Sequence, residues 1–119
     1  MKIIKEDEVM YLVLSNKEWK IVNNSIREVM KAIDDWEFPI RTGVAPEKAR
    51  IFTKRIESFS EAPEVRLGIS REEGLLVNNT LNEVCHGVVV QDFENRIGAS
   101  KNEVAILLDE VNSAIWPDE

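Results

Sequence analysis

The chain has little of what most enzymes and secreted proteins use. It holds one cysteine, Cys85, and one histidine, His86, in 119 residues. One thiol excludes an intramolecular disulfide, and together the pair falls short of the ligands a structural zinc ion needs. No apolar run approaches the ~18 residues of a membrane span. The opening Met1–Glu8 carries acid early and has no apolar core, unlike a signal peptide. There is no phosphate-binding glycine loop, no Gly-x-Gly-x-x-Gly and no His-Glu-x-x-His. Basic residues are also scarce, 15 against 22 acidic, for a net charge of −7. That sign repels nucleic-acid phosphates and anionic lipid and suits a basic partner, although acid also simply aids solubility. These absences predict a cytoplasmic protein with no metal, cofactor, nucleic acid or membrane to bind. The apolar fraction of 44% is ordinary and sufficient for one core in a single domain.

What is present is a sequence that pairs with itself. Shifted by 55 positions, Met10–Ile56 aligns with Val65–Val111 without a gap, and 12 of the 47 pairs are identical, including Leu12/Leu67, Asn24/Asn79, Glu28/Glu83, Phe38/Phe93, Arg41/Arg96 and Gly43/Gly98. Unrelated segments of this composition match at about three positions. Repetition constrains a fold more than any local motif, and the units span about residues 10–56 and 64–111. Each opens on a short apolar run, Met10–Leu14 and Val65–Ile69, which could pair as a two-stranded element. Capping boxes follow at Ser15–Glu18 and Ser70–Glu73, with a third at Ser100–Glu103. Helical stripes run through Val22, Ile26, Val29, Met30 and Ile33, and again through Val77, Leu81, Val84, Cys85 and Val88. Gly87 reads as a helix stop whose counterpart, Ala32, lets the first helix run longer. Short helical segments around residues 37–43 and 92–98 end on glycine, with Asp92 as a cap and Phe38 and Phe93 as core plugs. Last helices carry Ala49, Phe52, Ile56 and Phe59, with Pro46 in a first turn, and Val104, Leu107, Leu108, Val111 and Ile115. The expected fold is mainly α: two internally duplicated helix–turn–helix halves about a pseudo-two-fold axis.

Two polar sets repeat with the units. Asn24 and Glu28 lie four apart on one helix face and Arg41 follows on the short segment; Asn79, Glu83 and Arg96 repeat them. A planar guanidinium paired with a carboxylate suits a structural pin between the short helix and the long one. Two symmetric polar pockets are the functional alternative. Cys85 and His86 are neighbours, about 100° apart on a helix, and so are not poised as nucleophile and base. The one basic cluster, Lys48, Arg50, Lys54 and Arg55, gives the helix–turn–helix look a nucleic-acid reading, which the acidic balance opposes. The units differ where Asp34, Asp35, Trp36 and Glu37 stand against Val89, Val90, Gln91 and Asp92. Tryptophan beside three acids fits a contact surface for a basic partner, as an alternative to a displaced core plug.

Leu81-Asn82-Glu83-Val84-Cys85-His86-Gly87 followed by Asp92-Phe93-Glu94-Asn95-Arg96-Ile97-Gly98 resembles small helical bacterial immunity proteins of contact-dependent growth-inhibition and polymorphic toxin systems. The likeness covers about residues 69–111; the first unit departs from it at Arg27 and Ala32. The resemblance implies a cytoplasmic, non-enzymatic protein that binds a cognate toxin domain, of a basic nuclease type, and occludes its active site. A small cytoplasmic enzyme, or a homodimeric regulatory adaptor, is the alternative.

Overall fold

A computed structural model describes residues 1–7 and 9–115. Three strands, β1 (Lys2–Glu6), β2 (Val9–Ser15) and β3 (Glu64–Ile69), form one antiparallel sheet in that order. The helices are α1 (Asn16–Ala32), α2 (Phe38–Thr42), α3 (Pro46–Glu57), α4 (Arg71–Asn82), α5 (Phe93–Ile97) and α6 (Lys101–Ile115), with a π turn at Glu83–Gly87 continuing α4. No helix among the described residues is long and apolar enough to cross a membrane.

The mainly α expectation is therefore corrected to a mixed α/β fold with a three-stranded sheet, not a two-stranded element. The missed strand, Lys2-Ile3-Ile4-Lys5-Glu6, has only two apolar residues and no alternation to betray it. It forms by pairing with β2, from Lys2 opposite Val13 to Glu6 opposite Val9. Nor is a duplicated architecture shown. Among the described residues β1 has no second version, and the π turn stands where the other unit keeps regular α-helix through Ala32. The offset between the units survives as a correspondence of bounds, with β2, α1, α2 and α3 of the first matched in order by β3, α4, α5 and α6 of the second.

The strands alternate as half-buried strands should. Leu12, Leu14, Val65, Leu67 and Ile69 face the helices and are buried. The β2–β3 ladder sets Leu12 opposite Leu67 and Leu14 opposite Val65. On the other face the Tyr11 ring lies over Gly68, where a Cβ would come within 3.2 Å of it. Arg66 stacks on the same ring at 4.6 Å and pairs with Glu6 at 2.8 Å. Arg55 of α3 donates to the Gly68 carbonyl of outer strand β3.

Each of the first two capping boxes closes at a strand-to-helix corner. The Ser15 and Ser70 hydroxyls accept from the amides of Glu18 and Glu73, whose carboxylates return to the serine amides. Ser100 and Glu103 make the same exchange. Helices α1 and α4 contact each other; α3 packs on α1 and α6 on α4. The Trp19 indole N–H donates to the Ile56 carbonyl at 2.9 Å, pinning the end of α3 to the start of α1. Phe38 is buried as expected, but Phe93 is only half-buried, under the Lys101 ammonium at 5.6 Å. Asp92 gives α5 no side-chain cap: it takes a left-handed backbone, φ 52°, and its carboxylate accepts from Asn95 instead. Ser15→Ala and Ser70→Ala should each cost about 1 kcal/mol in urea denaturation, and additively, because the caps share no partner. No measurable loss would show that packing alone sets these helix starts.

Candidate functional site

The loop between α1 and α2 is built by one buried residue at each end. Ile33 closes α1 in the core, its amide bonded to the Val29 carbonyl. The Asp34 carbonyl then accepts from the amides of Glu37 and Phe38, both at 3.0 Å, so the chain turns at once into α2. Phe38 points inward with 1% of its surface exposed. Residues 36 and 40 flank it by two positions, about 200° round a helical turn, and so face outward. Trp36 is 70% exposed and Ile40 74%. The structure thus places Trp36 on the surface, and adds Ile40 to it. Ile40 escaped the sequence reading, although its spacing from Trp36 and Phe38 was the signal that could have found it.

The acids around Trp36 are differently placed. Both Asp35 oxygens accept from Arg50 Nη2 of α3, at 2.9 and 3.1 Å. Glu37 accepts from Arg41 Nη1 at 3.3 Å. Among the described residues the Asp34 side chain has no ion-pair partner. The loop offers an apolar pair with one uncommitted carboxylate, rather than three free acids. Exposed pairs such as Asp35–Arg50 are worth little and open readily to a competing cation.

The repeated polar sets come together, but crossed between units. Asn24 of α1 donates to the Ile97 carbonyl at the end of α5, at 3.0 Å, and Asn79 of α4 donates to the Thr42 carbonyl at the end of α2, at 2.7 Å. Arg41 pairs with Glu83, and Arg96 with Glu28 at 3.2 Å. The grouping of Asn24 and Glu28 with Arg41 is thereby corrected: each arginine reaches the long helix of the other unit. Each asparagine amide takes a last-turn carbonyl that a short helix leaves unpaired. Gly43 and Gly98 then leave both short helices in left-handed conformation, φ 78° and 95°.

The Arg41–Glu83 link is the more buried of the two, and Gly87 makes room for it. A Cβ at Gly87 would collide with the Glu83 carboxylate and lie 2.9 Å from Arg41 Nη2. Gly87 does stand at the helix end, as expected, but without a left-handed backbone. Its amide belongs to the π turn, which ends with the Val88 amide bonded to the Glu83 carbonyl at 2.8 Å. The hydrogen bond with Glu83 also raises the Arg41 pKa above its usual value. As regular α-helix the first does run longer, 17 residues against 12 for α4, which gives way to the π turn over the five positions Glu83–Gly87.

Cys85 and His86 do not converge. Cys85 is half-buried and His86 exposed. Burial pushes the Cys85 thiol above its ordinary pKa, against the pull of Lys101, so the thiolate a nucleophile needs is disfavoured. The basic cluster divides as well: Lys48 and Arg55 pair with Glu72 and Glu73 of α4, while Arg50 and Lys54 turn toward α1.

Gly87→Ala should lower stability by about 1–3 kcal/mol in urea denaturation, as an overpacked site does, although alanine for glycine in an open helix would gain about 1 kcal/mol. A gain would show that the Glu83 carboxylate moves aside freely. The chain matches no protein-family model, no curated protein and no solved structure.

Proposed function

We propose that this protein is a cytoplasmic inhibitor of the immunity type, which binds a toxin domain of basic surface and occludes its active site. The observation that carries the reading is the α1–α2 surface: Trp36 and Ile40, 70% and 74% exposed, beside Asp34 and Asp35. A large aromatic held outward by a buried neighbour is a rigid anchor that loses little side-chain freedom on binding. The surrounding acids fit a cationic rim, and the net charge of −7 steers a basic domain toward the molecule. Inhibition by occlusion needs no group of this chain to react. It needs the crossed network to hold α2, and with it the Trp36–Ile40 pair, rigidly on the α4 end of the core.

The test is to express the product of the adjacent reading frame, which on this reading is the toxin, with and without this protein. The wild type should protect the cell. Trp36→Ala with Ile40→Ala should abolish protection and weaken binding by about thirtyfold or more, as loss of a hot spot of ~2 kcal/mol or more implies, while leaving the melting temperature unchanged. Protection retained by the double variant would move the contact surface elsewhere. No protection by the wild type would overturn the inhibitor reading.

A further inference from the structure

The division of the basic cluster leaves a feature that the Trp36 surface does not account for. Between α1 and α3 runs a groove of about 490 Å³, lined by Arg27, Met30, Lys31, Arg50, Thr53, Lys54 and Glu57. Four of these are cations and one is an acid, on a chain whose net charge is −7. Arg27 and Lys31 stand one turn apart on α1, and Arg50 and Lys54 one turn apart on α3. The helices run antiparallel, because Arg27 pairs with Glu57 at one end while Asp35, just beyond α1, pairs with Arg50 at the other. In that register Lys31 faces Lys54 at the middle of the groove, with the Arg27–Glu57 pair about one helical turn toward one end and the Asp35–Arg50 pair about one turn toward the other. The half-buried Met30 and the buried Thr53 make its floor, and the Thr53 hydroxyl is already spent on the Arg50 carbonyl.

The fold does not require these charges. Their side chains lie at the surface: Lys31, Arg50 and Lys54 are exposed and Arg27 is partly exposed. Internal neutralisation is partial: Glu57 holds Arg27 and both Asp35 oxygens hold Arg50, leaving the two lysines. Lys31 reaches Glu28 only at 3.6 Å, the Arg50–Asp35 pair is exposed, and Lys54 has no ion pair among the described residues. Exposed pairs of this kind yield readily to a competing anion.

We propose that this groove is a docking site for an acidic segment of a partner protein. Cations at the middle and toward both ends, about one helical turn or 6 Å apart, match carboxylates four apart on a helix, or at alternate positions of an extended chain, which lie about 6.7 Å apart. The aliphatic stems of the four cations and Met30 give the backbone of such a segment an apolar bed. A long nucleic acid is disfavoured by the charge of the whole molecule. A compact polyphosphate would need donors closing round it, whereas this groove lies open along its length. The proposal does not rest on the toxin reading, and its test leaves Trp36 and Ile40 in place.

The experiment is a fluorescence-anisotropy titration of the full chain with a labelled oligoglutamate peptide. Saturable binding is expected at about 20 mM salt, weakening by about tenfold or more at about 200 mM, as screening requires. Lys31→Glu with Lys54→Glu should weaken it by at least about tenfold with the melting temperature unchanged. Both side chains are exposed, and the milder Lys31→Gln with Lys54→Gln should show a smaller loss in the same direction. The Trp36→Ala and Ile40→Ala variant should bind like the wild type. Absence of saturable binding, or unchanged affinity in the charge-reversed variant, would overturn the proposal. So would tripolyphosphate displacing the peptide at lower concentration than unlabelled oligoglutamate does, which would mark the groove as a small-polyanion site.

Discussion

The exchange of short helices between the two long ones is the constraint on which the rest of the molecule depends. Arg41 binds Glu83 and Arg96 binds Glu28, while Asn79 and Asn24 hold the carbonyl ends of α2 and α5. Helices of five residues do not persist alone. These two persist because their last carbonyls and their arginines are held by a helix from the far half of the chain. The polar links are directional where the apolar core is not. They fix which surface of α2 and α5 turns inward, and so which side chains are left outside. Phe38 goes in, and Trp36 and Ile40 stay out.

The same logic accounts for the difference between the two links. At Glu83 the helix widens to a π turn, and the missing side chain of Gly87 lets the carboxylate fold beneath Arg41. Glu28 has Ala32 four residues on and remains paired at 3.2 Å with an arginine that is more exposed than Arg41. Glycine at 87 against alanine at 32 accompanies the difference between the two ties, as does the second carboxylate, Glu37, on Arg41.

Much of this was legible in the residues. The serine–glutamate capping boxes, the helical stripes and the glycine exits of the short helices are local signals, set by interactions within a few positions, and the structure has them where the residues put them. What was not legible depends on contacts remote in sequence. β1 is a strand only because β2 offers it an edge. The arginine and glutamate of each polar set are present, but no local spacing says that Arg41 reaches Glu83 and not Glu28. The outward turn of Trp36 follows from the burial of Phe38, which sequence suggests. The capture of Asp35 by Arg50 follows from the packing of α3, which it does not. That capture joins the two surfaces described above: the acid beside Trp36 and the cation at the mouth of the α1–α3 groove are one ion pair.

A double-mutant cycle tests the crossed arrangement most directly. Arg41→Gln and Glu83→Gln should be strongly non-additive in unfolding free energy, since each removes the other's partner, whereas Arg41→Gln and Glu28→Gln should add within error. Coupling of Arg41 to Glu28 and none to Glu83 would contradict the account, because α2 would then be held by its own long helix and the outward placement of Trp36 and Ile40 would lose its cause.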